Sequence, residues 1–204
     1  MNEFFEIVRP VFMVKAEPPY YAVESISFLT SGCETFEEKQ RNVEILHNEI
    51  LKRHNEIKIL EISTKSLQKD GVPLSAFNLK KYVKSMDKSV TVENIYQASK
   101  CFETGGPYTD LLNKTPKEAK KDTRLKTSGR IIKYVYEGKD YPAEPFDLFY
   151  DHIYFEALRE NSILSKCLIN YDAFTDIEFV PGESFNCQAA SAAKYVGMFK
   201  SANE

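Results

Sequence analysis

Apolar runs of strand length alternate with amphipathic stripes of helical period along the whole 204-residue chain. None approaches the roughly 18–20 consecutive apolar residues of a membrane span. This interleaving predicts an α+β fold, mostly helical and packed around a small mixed β-sheet. Residues 10–30 alternate apolar and polar positions and predict one or two strands, and IKILEIS (57–63) and RIIKYVY (130–136) predict short ones. Val43, Leu46, Ile50 and Leu51 recur at helical spacing within 35–55. Residues 89–92 read as extended and lead into a helix through Phe102. Asp147 to Leu168 predicts a long helix with Phe149, Ile153, Leu158 and Leu164 in the core, and Cys187 to Lys200 a last one. PLSAFNL (73–79) and 171–185 read as loops. In TPKE (115–118), Thr115 is placed to cap a helix, Pro116 to fit its first turn and Glu118 to complete a capping box. With no repeat, low-complexity stretch or Gly/Ser linker, one domain is expected: strands and a helix in 1–56 packed on a core spanning 57–204.

Composition narrows the function classes. With 43% apolar and 28% charged residues, the chain is not a disordered one. The start lacks the basic-then-apolar pattern of a signal peptide, so a cytoplasmic protein is expected. Cys33, Cys101, Cys167 and Cys187 form no C-x-x-C pair and lie near no histidine at ligand spacing, which predicts reduced thiols and no metal site. No glycine-rich dinucleotide or P-loop pattern occurs, and no cofactor is expected. The net charge of −3 argues against a protein that grips nucleic acid over its whole surface. One segment departs from that mean: Lys114 to Lys133 carries eight cations against two acids, either a solvated helix face or a local phosphate patch. Twelve tyrosines with no tryptophan suit either a core boundary or a stacking pocket.

Several segments carry groups suited to chemistry. In VENIYQASK (92–100), Glu93, Tyr96, Gln97 and Lys100 recur three or four residues apart and share one helix face, which is a solvated surface or a reactive stripe. YDAFTDIEF (171–179) sets Asp172, Asp176 and Glu178 among aromatics, where carboxyl pKa values rise; the same alternation also describes an edge strand. LSAFN (74–78) and GGPYTD (105–110) are small-residue loops, and SGR (128–130) is able to turn an amide and Arg130 toward a phosphate.

Taken in order, these segments resemble the NADAR family (the YbiA-like superfamily), in particular the NADAR antitoxins encoded beside DarT-type DNA ADP-ribosyltransferase toxins. LSAFN is similar to the family's S-N-F-type loop. ENIYQASK is similar to its E-H-Y-F-Q-A-x-K helix, matching at Glu93, Gln97, Ala98 and Lys100, with Asn94 in place of the usual His. Longer pieces shared with the toxin-associated branch are LEIS-K-S (60–66), GGPYTDL (105–111), EAKKD-RL-SGR (118–130), YDAFTDIEF and NCQA-SAA-YV (186–196). Together they span roughly residues 57–197. The tryptophan–glycine signature of the riboflavin-type branch is absent, which favours the nucleic-acid branch.

The resemblance implies a hydrolase of N-glycosidic bonds. Its implied substrate is a guanine base of DNA or other nucleic acid carrying ADP-ribose; ADP-ribose is the product and a DarT-type toxin the functional partner. Glu93 is then expected to stabilise the positive charge that grows on the ribosyl carbon and to activate water. Lys100 orients Glu93, protonates the leaving side or attacks the opened ribose as a Schiff base. Asp176 is the second carboxylate, with Asp172 as its competitor. Asn78, Gln97 and Asn186 supply amides for ribose hydroxyls or a base edge, Lys120 and Arg130 contact the diphosphate, and Tyr108 or Phe174 stacks on a base. Two other roles fit the same resemblance: an N-glycosidase acting on ribosylated metabolites, and an antitoxin that binds its toxin without catalysis.

Overall fold

Ten residues, Phe5–Val14 (β1), pair antiparallel with ten more, Tyr21–Thr30 (β2), from Phe5 opposite Thr30 to Val14 opposite Tyr21. The computed structural model describes residues 4–182 and 186–202. After the hairpin come α1 (Phe36–Arg53), β3 (Ile59–Glu61), α2 (Gly71–Leu74), β4 (Lys80–Val83), β5 (Lys88–Thr91), α3 (Val92–Ser99) and β6 (Lys100–Phe102). They are followed by α4 (Pro116–Lys120), α5 (Arg124–Thr127), β7 (Ile131–Tyr136), β8 (Lys139–Pro142), α6 (Asp147–Glu160), α7 (Ser162–Leu168), β9 (Ala173–Thr175) and α8 (Gln188–Ser201). Among the described residues helices hold 42% and strands 24%, so the fold is α+β with more helix than strand. No helix among the described residues is long and apolar enough to cross a membrane. Contacts divide the chain into two compact units, one running to Ser75 and resuming at Ile163, the other Ala76–Ser162.

The first unit is a mixed sheet of order β2-β1-β9-β3, with β9 antiparallel to β1 and parallel to β3. All three residues of β9 are buried. The 171–185 segment expected as a loop therefore contributes an inner strand. Three residues are too few for a period to show, and pairing on both edges supplies what local pattern does not. Helix α1 starts at a capping box: Glu38 N donates to Thr35 Oγ1 at 3.2 Å, and Thr35 N donates to Glu38 Oε2 at 3.0 Å. Its stripe of Val43, Leu46 and Ile50 packs with Val11, Ile26, Phe28, Ile59 and Ala173. Leu51, one residue past the stripe, faces out.

The second unit is built on α3, all eight residues of which are buried. Beside it lie the hairpin β4-β5 and the antiparallel sheet β6-β7-β8. The helix expected through Phe102 stops at Ser99, because Lys100, Cys101 and Phe102 turn extended and pair with β7. Tyrosines fill this core instead of bounding it. Tyr134 stacks on Phe149 at 4.6 Å between centroids, Tyr96 meets the edge of Tyr150 at 5.2 Å, and the Tyr96 and Tyr134 hydroxyls lie 3.2 Å apart.

Two long helices expected from the sequence are broken, each by a polar side chain. The capping box at Thr115 forms as predicted, but α4 ends at Lys120, and Asp122 Oδ1 then accepts from Arg124 N at 3.0 Å and opens a new turn. Asn161 ends α6 by donating from Nδ2 to Ala157 O at 2.7 Å and Lys80 O at 3.0 Å. Leu164, beyond that break, is only partly buried. Phe149→Ala is predicted to lower the unfolding free energy by about 3–5 kcal/mol. Leu164→Ala is predicted to cost clearly less. Urea denaturation of the two variants checks the ranking.

Candidate active site

Helix α3 begins at Thr91, whose hydroxyl accepts from Asn94 N at 3.3 Å, and Glu93 stands in the first turn, at the positive end of the helix dipole. Lys100 is the C-cap residue, at the negative end. Between them lies Gln97. Its Nε2 donates to Glu93 Oε1 at 2.8 Å and its Oε1 accepts from Lys100 Nζ at 2.7 Å. The i,i+4 and i,i+3 spacings seen in the sequence thus form a continuous carboxylate–amide–ammonium chain. Glu93 and Gln97 are each 6% exposed, so this face is a buried one and not a solvated helix surface. Gln97, expected to meet substrate, already uses both ends of its amide.

Lys100 has further company. Its Nζ lies 4.3 Å from the centroid of the Tyr96 ring. Burial is the main cause that lowers its pKa from the usual 10.5 to about 8; Glu93 pushes it back up and Lys120 pushes it down. Lys120, the last residue of α4, lies with Nζ 5.3 Å from the Phe77 ring centroid. The turn that holds Phe77 and Asn78 is tied to the head of α3, since Glu93 N donates to Ala76 O and Val92 N to Leu79 O, both at 2.9 Å. Glu93, Gln97, Lys100 and Lys120 are therefore brought together on one unit by α3 and α4, and Asn78, which is exposed, lies in the turn whose backbone is tied to α3.

Two residues expected at the site are engaged elsewhere. Arg130 is largely exposed and its guanidinium pairs with Glu103 at 3.0 Å, while its N–H donates to Glu103 Oε2 at 3.1 Å. An anion does sit in the SGR turn, but it is the protein's own carboxylate, and that backbone N–H is the leading cause holding the Glu103 pKa low. Tyr108 bonds through its hydroxyl to Ser128 Oγ at 2.5 Å, and the guanidinium carbon of Arg124 lies 4.4 Å from its ring centroid. Arg124 is itself held by Asp110 and Asp122. Arg124, Arg130 and Lys133 of the basic run are thus balanced locally, and the run brings Lys120 near Lys100.

The remaining candidates belong to the first unit. Asp172 Oδ2 accepts from Lys58 N at 3.0 Å and Oδ1 lies 3.4 Å from Lys200 Nζ, so this half-exposed carboxylate fastens β9 to its neighbours. Glu178 pairs with Lys39 at 2.7 Å and Lys65 at 3.3 Å. Asp176 is 6% exposed, directly after β9, and its Oδ1 accepts from Glu178 N at 3.1 Å. Phe174 is fully buried within β9 and offers a ligand no surface. Asn186 is half-buried, ahead of Cys187, the N-cap of α8. Among the described residues no group of three His, Cys, Asp or Glu side chains is placed to hold a metal ion.

Two further polar residues, Asn94 in the second unit and Glu61 in the first, were given no role from the sequence. Asn94 Nδ2 donates to Leu111 O at 2.7 Å and Lys114 O at 2.8 Å, tying α3 to the turn before α4. An amide has two donor hydrogens for those two carbonyls, where a neutral imidazole has one. Glu61 is fully buried in β3, with its carboxyl pKa pushed up by burial. Its signal was an acid inside the apolar run ILEI.

A family model described as DarT1-associated NADAR antitoxin matches residues 7–203. No match was found among curated proteins.

Lys100 is predicted to titrate near 8, within reach of NMR of its side chain. Glu93→Gln lowers that midpoint and Lys120→Gln raises it, because the first removes an attraction and the second a repulsion. Above about pH 8 the folded chain sheds a proton the unfolded chain keeps up to about 10.5, so this group's contribution to stability rises with pH across that window.

Proposed function

Because the chain belongs to the DarT1-associated NADAR antitoxin family, we propose that it is an N-glycosidic hydrolase. In this reading it removes ADP-ribose from guanine bases of nucleic acid and so reverses the modification made by a DarT-type toxin. The observation that carries the reading is the Glu93–Gln97–Lys100 chain, buried at Glu93 and Gln97 and partly buried at Lys100, with Lys120 close by.

Cleaving a ribosyl C–N bond builds positive charge on the anomeric carbon, while the bonding electrons leave with the base. A carboxylate withdrawn from water is suited to stabilise that charge and to take a proton from the attacking water, whose oxygen then bonds to the carbon. We assign this role to Glu93. Gln97 holds the carboxylate by one oxygen, which leaves the other for water or the ribose. The departing guanine nitrogen needs a proton, and Lys100, with a pKa of about 8, is an ammonium at pH 7 yet releases its proton more readily than a surface lysine. About a tenth of it is neutral at that pH, enough to allow the Schiff-base alternative. Lys120 suits the diphosphate, Asn78 a ribose hydroxyl, and Asp176 is assigned as the second carboxylate.

Mass spectrometry of a short oligonucleotide carrying ADP-ribosyl-guanine tests this directly. Wild type is expected to release ADP-ribose and unmodified guanine, and Glu93→Gln to turn over about 10²–10⁴-fold more slowly. A loss below tenfold would remove Glu93 from the chemistry. Borohydride trapping of a Lys100 adduct would select the Schiff-base route. Equal turnover of free ADP-ribosyl-guanosine would favour a metabolite substrate.

A further inference from the structure

Glu61 is a carboxylate with no exposure at all, at the end of a three-residue strand. Withdrawing such a group from water is costly unless every oxygen finds a donor. Two of its donors lie on one short stretch, and the Ser63 side chain is a further hydrogen-bond partner. Oε2 accepts from the Thr175 hydroxyl at 2.6 Å, and Oε1 accepts from the Ile177 backbone N–H at 2.9 Å. Thr175 and Ile177 are the two residues that flank Asp176.

The grip extends on either side. The Thr175 hydroxyl has one proton and gives it to Glu61, so the 2.9 Å contact with His47 Nε2 is made with that nitrogen as donor. Burial keeps His47 neutral, with a pKa of about 4, which leaves Nδ1 unprotonated and the chain directed from His47 through Thr175 to Glu61. Glu61 itself is fixed through its backbone: its N–H donates to Gln68 Oε1 at 3.3 Å, and Gln68 Nε2 donates to Ile59 O at 2.7 Å. Behind it, Gly71 comes so near that a Cβ there would meet the Glu61 carbonyl oxygen at 2.0 Å. Parallel pairing of β3 with β9 ends at Glu61 opposite Thr175, with Ile62 N donating to Thr175 O at 2.8 Å and Phe179 N to Asp176 O at 3.1 Å just beyond it.

We propose that Glu61 is the positioning residue of Asp176: its two oxygens hold the residue on each side and set the direction in which the Asp176 carboxylate leaves the end of β9. This rests on the assignment of Asp176 as the second carboxylate. A hydrophobic or amide side chain would fill the same space in β3 without an ionisable group. What a carboxylate adds is two acceptors fixed in one plane, matched to a hydroxyl and an amide that bracket a third residue.

The test combines Glu61→Gln, Asp176→Asn and the double variant, each assayed for kcat and KM on the ADP-ribosyl-guanine oligonucleotide. Glu61→Gln is expected to lower kcat about 10-fold to 100-fold with KM within about twofold, the size of effect that follows a small misplacement of a reacting group. In the Asp176→Asn background the same substitution is expected to add nothing, because the two act as a unit. An equal loss in both backgrounds, or an unchanged kcat beside a slow Asp176→Asn, overturns the proposal. Full activity of Asp176→Asn overturns the assignment of Asp176 and with it a catalytic role for the clamp. Thr175→Val, which removes one arm at constant volume, is expected to reproduce the loss and Thr175→Ser to restore turnover. Hydrogen exchange at Ile177 reads the clamp without any activity. It should quicken at least about tenfold in Glu61→Gln while Phe174 stays protected. If wild type fails to cleave the oligonucleotide, the hydrolase reading falls and this measurement still decides the clamp: unchanged Ile177 exchange sinks it.

Discussion

A buried acid and a partly buried amine at the two ends of one short helix must find compensation inside the protein, and a single glutamine amide of α3 supplies it to both. Gln97 donates to the carboxylate of Glu93 and accepts from the ammonium of Lys100, so the two charges are linked without touching. The helix contributes as well, with the acid in its first turn and the lysine at its C-cap. Four other features of the second unit bear on this chain. The 76–79 turn binds the head of α3, Asn94 fastens its flank, the aromatic core grips Tyr96, and pairing of Lys100 with Tyr134 fixes where the helix ends. Breaking α3 at Ser99 is part of the design: as the first residue of β6, Lys100 gains a rigid backbone while its side chain stays over Tyr96.

Carboxylates clustered in sequence meet different fates in the first unit. Asp172 fastens strands, Glu178 forms ion pairs at a partly exposed position, and Asp176 is buried at the end of β9 between two residues held by Glu61. Proximity along the chain does not distinguish them. What does is their place around β9, with Asp172 just before the strand, Asp176 just after it and Glu178 in the turn beyond.

Periodicity was enough for α1, β7 and most of the hairpin, and the TPKE pattern for the capping box at Thr115; the box at Thr35 was not read from the sequence. Periodicity was enough, too, to put Glu93, Gln97 and Lys100 on one face. Burial of that face was not legible, because the same spacing describes a solvated helix; only packing decides. Long-range pairing accounts for the misses: Ala173–Thr175 becomes a strand because β1 and β3 flank it, and Cys101 and Phe102 leave the helix to join β7. Asn161 and Asp122 interrupt helices whose apolar stripes continue past them. Arg130 looked like a phosphate ligand until Glu103, twenty-seven residues away, filled the place.

The account stands on one claim, that the Glu93–Gln97–Lys100 chain is where the ribosyl bond is broken. A crystal structure with ADP-ribose bound tests it most directly. The predicted result places the anomeric carbon of the distal ribose about 3–3.5 Å from a Glu93 carboxylate oxygen or from a water that oxygen holds. An ADP-ribose bound with that carbon away from α3, and the chain undisturbed, would contradict it.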